Sequence, residues 1–263
     1  MTDLAGRTAI VSGATQGLGL DIARALHAAG GNVVLLGRGE ATGLEAAADV
    51  GARAIFVRTD IRSDDDIAAA VDVALARFGG IDILVNNACI YVDRGLDSTR
   101  EEWLGTLDVN LVGSAILAQK VAPHLPDGRG VIVNITSVGG KFGAAGRALY
   151  PASKAGLAQF TRNAAATLAP RGIRVVSVTP AWTWSPALES RAGTLERADR
   201  VAARLHPLGR AGRGADVADV VLFVCSDGAR FVTGTEISVD GGFSMLGPDQ
   251  GRSPAAWFDE AGQ

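Results

Sequence analysis

The chain has 263 residues, 48% of them hydrophobic, with a net charge of −3 and a pI near 5.6, enough for one α/β domain with a sizeable core. It shows no basic run or basic-aromatic stripe, no apolar stretch of the roughly 20 residues that span a membrane, and no charged-then-apolar leader, so a soluble cytoplasmic protein without a nucleic-acid or membrane partner is expected. Cys89 and Cys225 lie far apart, and His27, His124 and His206 lack ligand spacing, which argues against a disulfide and a metal site.

Residues 7–12 form a short apolar β-type run, followed by Gly13-Ala14-Thr15-Gln16-Gly17-Leu18-Gly19 and the helical pattern Leu20, Ile22, Ala23, Leu26. A strand, a glycine turn and a helix N-terminus make an anion site, because glycine admits a pyrophosphate to the backbone and unpaired N–H groups meet its charge. A plain tight turn also fits a glycine triplet in a chain with 34 glycines. The position between first strand and first helix favours the dinucleotide. Residues 32–36 are the second strand, ending at Gly37-Arg38 without an acid at its tip. An acid would bond a ribose 2′-hydroxyl, whereas the Arg38 fork suits a 2′-phosphate, so NADP(H) is favoured and NAD(H) is the alternative. The competing reading has Arg38 solvated or stacked on adenine, and Glu40 weakens the local positive field.

Residues 54–60 are the third strand, with Asp60 at the ligand-binding edge and able to accept from an adenine amino group. Ser63 caps a helix running to Phe78, whose first-turn Asp64, Asp65 and Asp66 complement the helix dipole. Residues 81–89 are the fourth strand, and Asn86 and Asn87 at its tip either satisfy strand ends or line a cofactor crevice. Ser98-Thr99-Arg100-Glu101 reads as a capping box opening a helical stretch through Asn110 to Leu125. Asn is unfavourable inside a helix, so Asn110 invites a functional explanation.

Strand five, residues 131–135, delivers Ser137; a glycine-rich loop follows, then Tyr150 and Lys154 at i,i+4 on one helix face. Such a pair also fits an ordinary amphipathic helix. The strand and hydroxyl upstream favour chemistry, with the ammonium stabilising a phenolate and Ser137 holding a substrate oxygen. Strand six, residues 173–178, exits through residues 180–185 into a polar helical segment, a candidate substrate lid over about 182–206. A helix over 215–225 and strand seven, residues 236–240, complete a catalytic unit of residues 1–246, with 247–263 a C-terminal tail. Strands alternating with helices predict one parallel, doubly wound sheet.

Taken together, Gly13, Gly17, Gly19, Asp60, Asn86-Asn87-Ala88, Asn110, Ser137, Tyr150 with Lys154, Pro180 and the ending Val232-Thr233-Gly234 with Asp240-Gly241-Gly242 resemble the compact short-chain dehydrogenase/reductases, from about residue 4 to 245. The resemblance implies a Rossmann-type doubly wound seven-stranded parallel sheet with helices on both faces, and an NAD(P)-dependent oxidoreductase interconverting a ketone and a secondary alcohol. By the same resemblance Tyr150 is the general acid or base, Ser137 bonds the reacting oxygen, Lys154 promotes the phenolate and holds the nicotinamide ribose, and Asn110 keeps a water beside Lys154 for a proton relay. Cofactor contacts are expected at Gly13, Thr15, Gln16, Gly17, Leu18, Gly19, Arg38, Asp60, Ile61, Asn87, Ala88, Tyr150, Lys154, Pro180, Thr183 and Ser185. A homo-oligomer, dimer or tetramer, is implied.

Cys89 and Ala181 depart from the family's usual glycines, Ser185 from its threonine, and Gln16 from the basic residue frequent in NADP(H) users. The first three, all small side chains, imply a modest shift in nicotinamide fit, and Gln16 keeps NAD(H) open as the alternative. The substrate candidates Tyr91, Phe142, Trp182 and Trp184, with Ser137, Ile90 and Val138, form an apolar and aromatic set suited to a hydrophobic ketone or alcohol, cyclic ones included. A 3-oxoacyl-thioester reductase of the same family is the alternative, although Arg94, Arg129 and Arg191 are scattered for an acyl-carrier protein. A non-catalytic dinucleotide-binding subunit is a further one, against which the complete Asn, Ser, Tyr, Lys set argues. The tail, with Trp257 and Phe258, is expected to cover a subunit interface or to fray.

Overall fold

Strands buried on both faces read as continuous apolar runs, and those runs build the sheet here. In the computed structural model, which describes residues 2–247 and 249–261, the strands are β1 (Thr8–Ser12), β2 (Asn32–Gly37), β3 (Ala54–Arg58), β4 (Ile83–Asn86), β5 (Val131–Ile135), β6 (Arg174–Pro180) and β7 (Glu236–Val239). The helices are α1 (Gly17–Ala28), α2 (Glu40–Val50), α3 (Asp64–Phe78), α4 (Arg100–Leu107), α5 (Gly113–Val121), α6 (Leu149–Leu168), α7 (Pro186–Ala192), α8 (Leu195–Ala202), α9 (Gly214–Cys225) and α10 (Pro254–Ala261). All strand pairs are parallel, in the order β3-β2-β1-β4-β5-β6-β7. Period-two alternation sends Val11, Leu35, Val85 and Val133 to one face, against α1 and α9. Ile10, Val34, Leu84 and Ile132 go to the other, against α3, α5 and α6. The sheet is therefore the doubly wound, seven-stranded one that the sequence predicts.

The chain builds outward from β1 to β3, then returns to place β4 beside β1 on its other edge. Strand order reverses there, and the strand ends beyond β1 and β4 leave a crevice. Among the described residues no helix is long and apolar enough to cross a membrane.

Several boundaries differ from the sequence reading by a residue or two, and hydrogen bonds account for three of them. Strand three ends at Arg58 because Asp60 has already turned toward α3, its N–H donating to Asp66 Oδ2 at 2.8 Å. Strand four is confined to Ile83–Asn86, since Asn87 and Ala88 give their amides to Ser12 Oγ at 3.0 and 3.1 Å instead of to a neighbouring strand. The capping box is Thr99 with Glu102, one residue later than read: Thr99 Oγ1 accepts from Glu102 N at 3.2 Å and Glu102 Oε2 from Thr99 N at 2.7 Å. Ser98 is spent elsewhere, its Oγ accepting from Arg94 N at 2.9 Å. Ser63 caps α3 as expected, accepting from Asp66 N at 3.1 Å.

Candidate active site

A cavity of about 460 Å³ opens at the strand ends. Gly13, Thr15, Gln16, Gly17, Leu18 and Gly19 border it on one side and Arg38, Asp60 and Ile61 on another. Asn87, Ala88, Tyr91 and Ser185 close it. Tyr150, Lys154, Pro180 and Thr183 stand outside that lining: Pro180 is buried at the end of β6, and Thr183 pairs with Gly212.

The glycines are there because nothing larger fits. A Cβ on Gly13, at φ +63°, would meet Ala88 Cα at 2.8 Å, and one on Gly19 would meet the Gly13 carbonyl at 2.2 Å and Asn87 Nδ2 at 2.5 Å. Helix α1 starts from Gln16, which makes no side-chain cap bond, and its first turn has no acid. Its leading amides therefore face the cavity with the positive end of the dipole, which suits a pyrophosphate. Asn87 Nδ2 donates to the carbonyls of Ser12 and Gly13 at 3.0 and 3.1 Å, fastening the tip of β4 to the glycine turn. Asn86 points the other way, donating to Asn134 Oδ1 at 2.9 Å within a buried network that continues through Thr161 to Ser177. Only the second asparagine of the pair lines the crevice.

At the adenosine end, Asp60 is gripped by Arg62, whose Nε and Nη2 lie 3.0 and 2.5 Å from its two oxygens. Bonding from Arg62 holds the Asp60 carboxyl down at about 2. Arg38 lines the same cavity and adds to the positive field.

The polar corner lies where Tyr91 leaves the cavity, its ring stacked on Tyr150 at 4.9 Å between centroids. Burial pushes the Tyr91 phenol up, and Cys89 and Tyr150 push it the same way, so Tyr91 stays neutral. Tyr150 is buried, and Lys154 is 2% exposed, with Nζ 5.7 Å from the Tyr150 ring centroid and donating to the Ile135 carbonyl at 2.8 Å. Ser137 Oγ accepts from Gly139 N at 3.1 Å, which leaves its own proton available to a second acceptor. A Cβ on Gly139 would touch Ser137 Oγ at 3.4 Å and Tyr150 Cε1 at 3.8 Å, so the hydroxyl and the phenol border one space.

Asn110 sits in a π-helical turn, Asp108–Val112, that separates α4 from α5. The wide turn turns a helical asparagine inward, and Asn110 is fully buried. Its Oδ1 accepts from Ile90 N at 2.8 Å, while Nδ2 donates to Ile90 O at 3.1 Å and to Ser153 Oγ at 3.0 Å. It therefore ties the loop after β4 to the helix carrying Tyr150.

Asp93, which the sequence does not mark as a site residue, makes the second such tie. Helix α6 has no side-chain cap of its own. Asp93 supplies one from the neighbouring loop, accepting from Ala148 N at 2.9 Å, Tyr150 N at 3.1 Å and Gly95 N at 3.0 Å. Burial alone would raise its carboxyl, but these amides outweigh burial and hold it below the usual range. Because the folded value is depressed, the contact contributes fully above the ordinary carboxylate range, about pH 4, and is lost as pH falls through the folded value. Asp93→Ala is expected to lower kcat by about tenfold with cofactor Kd unchanged, since a displaced acid costs more in turnover than in binding. Asp93→Asn should restore part of the loss and flatten the acid limb of the pH–rate profile; wild-type kcat in the alanine variant would contradict the assignment.

Of the other substrate candidates, Phe142 and Trp182 end an aromatic chain, with Phe142 6.1 Å from Phe243, Phe243 5.7 Å from His206 and His206 6.4 Å from Trp182. Trp184 packs against Ala198, Ala202 and Ala211, inside the α7–α8 excursion. That excursion breaks into two helices at Gly193. In the tail, Arg252 stacks over Trp257 at 4.4 Å and pairs with Glu260, while Phe258 is exposed; residues 248, 262 and 263 of the tail lie outside the described residues.

A family model described as Enoyl-(Acyl carrier protein) reductase matches residues 13–244. A cis-4-hydroxycyclohexanecarboxylate dehydrogenase of Sinomonas cyclohexanicum is 38% identical over 249 residues, 92% of this chain and 98% of that protein. A 3beta-hydroxysteroid dehydrogenase of Eggerthella lenta is 37% identical over 92% of this chain and 95% of its own length. A 3-oxoacyl-[acyl-carrier-protein] reductase of Staphylococcus epidermidis is 35% identical over 91% of this chain and 99% of its own length. A crystal structure of a Brucella melitensis short-chain dehydrogenase/reductase, described as glucose/ribitol dehydrogenase, superposes with a TM-score of 0.87 at 33% identity, covering 92% of this chain and 98% of that one. With the sheet order, the glycine turn and these likenesses on one chain, the protein belongs to the short-chain dehydrogenase/reductase family and is an NAD(P)-dependent oxidoreductase acting between CH–OH and C=O groups.

Proposed function

We propose that the protein interconverts a hydrophobic cyclic ketone and its secondary alcohol with NADP(H), using Tyr150 as acid and base. The observation that carries this reading is the shared space between Ser137 and Tyr150, with buried Lys154 behind the phenol. Two of the relatives described above are named for hydroxylated rings, which supports a cyclic substrate. The bound nicotinamide supplies hydride chemistry.

Ser137 donates to the reacting oxygen, its acceptor lone pair already engaged by Gly139 N. Tyr150 gives its phenolic proton to that oxygen in reduction and takes it back in oxidation. Lys154, a buried cation, offsets the negative charge left on the phenol and holds the ribose. Asn110 and Asp93 keep the loop and the helix in register. The family resemblance supports a homo-oligomer, dimer or tetramer, and the cytoplasm is the compartment expected from the sequence.

The cofactor choice rests on Arg38 at an acid-free strand tip. Titrated with NADPH and NADH separately, following tryptophan quenching, the wild type is expected to bind NADPH at least tenfold more tightly. Arg38→Ala should remove most of that difference. A preference for NADH, or an unchanged ratio in the variant, would make Arg38 a bystander.

A second reading, reduction of a 3-oxoacyl thioester, has the support of the Staphylococcus relative. Against it, Arg94 pairs with Glu102 at 3.0 Å and Arg129 with Asp82 at 2.6 Å, so two candidate carrier-protein contacts are already neutralised. Turnover of an acyl thioester in preference to a cyclic ketone would favour it.

A further inference from the structure

We infer that Arg147 forms an anion subsite beside Tyr150 and that the substrate carries a carboxylate. This rests on the ketone/alcohol reading above and narrows its substrate class. The guanidinium carbon of Arg147 stands 5.3 Å from the Tyr150 ring centroid. The residue is exposed, and among the described residues its guanidinium makes no hydrogen bond or ion pair.

Its backbone is nonetheless fixed on both sides. The next residue, Ala148, gives its N–H to Asp93 at 2.9 Å. On the preceding side Gly95 and Gly146 pack so closely that a Cβ on Gly95 would lie 3.0 Å from Gly146 C and 3.3 Å from Arg147 N. Both glycines have positive φ, +61° and +73°, so the approach depends on residues without a side chain. An anchored backbone thus presents a cation at the edge of the catalytic corner.

Asp93, which bonds the neighbouring Ala148 N, is committed to backbone amides with both oxygens. Lys154 adds a second positive charge on the same ring. A cation over an otherwise aromatic site favours an anion that arrives with the substrate. At 5.3 Å from the Tyr150 ring centroid, the guanidinium stands within reach of an anionic group on a substrate whose carbonyl meets Tyr150.

The test compares a six-membered cyclic ketone bearing a ring carboxylate with its methyl ester, in wild type, Arg147→Lys and Arg147→Gln, under NADPH. The wild type is expected to prefer the carboxylate by about ten- to a hundredfold in kcat/KM, the range for a hydrogen bond to a charged group. The preference should reside mainly in KM, shrink in Arg147→Lys and vanish in Arg147→Gln. An equal preference in Arg147→Gln, or none in the wild type, would overturn the subsite while leaving ketone reduction standing. No turnover of either ketone, with NADPH bound, would instead overturn the functional reading. The subsite is then decided by calorimetry of cyclohexanecarboxylate and cyclohexanecarboxamide on the NADP⁺-loaded protein. Carboxylate binding that is lost in Arg147→Gln supports it, and equal affinity for acid and amide refutes it.

Discussion

Tyr150→Phe is expected to reduce turnover by about a hundred- to ten-thousandfold, the range for removal of a positioned acid or base. The substitution deletes one oxygen and nothing else. The ring would keep its stack on Tyr91 at 4.9 Å and its contact with Lys154, so fold and cofactor pocket should persist. Cofactor Kd is therefore expected to change by less than about threefold, because the pyrophosphate and adenosine contacts lie on other elements. Loss of binding together with loss of turnover would mean that the phenol is structural. Retained turnover would place the proton on another group.

Gly19→Ala should be the most damaging change that adds a single methyl. The new Cβ would fall 2.2 Å from the Gly13 carbonyl and 2.5 Å from Asn87 Nδ2, the two partners of the bond that fastens β4 to the glycine turn. Backbone cannot rotate away as a flexible side chain can, so the turn and the tip of β4 must separate. Overpacking of this kind costs about 1–3 kcal/mol in stability. Cofactor affinity is expected to fall by tenfold or more, because the displaced turn carries the amides that meet the pyrophosphate. Thermal melts with and without NADPH read both effects: the variant should melt lower and gain less from the cofactor. An unshifted melt with full cofactor stabilisation would contradict the cradle geometry.

The sheet was legible because strands buried on both faces leave unbroken apolar runs, as in residues 33–36 and 131–133, and punctuating glycines mark their ends. The crevice was legible because the glycine turn follows β1 directly. Boundaries were harder. Thr99 and Ser98 are equally good caps by composition, and only the reach of Glu102 selects Thr99. Asn110 was conspicuous as an asparagine in a helix, but its π turn and its bond to Ile90, 20 positions away, leave no mark in the local pattern. Asp93 gave no local signal of its role: its bond to Gly95 N is an ordinary turn contact, while Ala148 and Tyr150 are more than fifty positions away. Trp184 looked like pocket lining by residue type, yet the small residues of α8 offered it a packing site. Long-range hydrogen bonds and side-chain destinations are set by tertiary contacts that no local pattern encodes.

The most direct test of the central claim is the consumption of NADPH by the purified wild type when a cyclic ketone is added, with Tyr150→Phe run alongside. Ketone-dependent loss of NADPH with equimolar alcohol formed is expected of the wild type, and a rate at least a hundredfold lower of the variant at similar NADPH affinity. Ketone-dependent oxidation at equal rates in both proteins would contradict Tyr150 as the proton donor. NADPH binding without oxidation across cyclic ketones would contradict the proposed reaction.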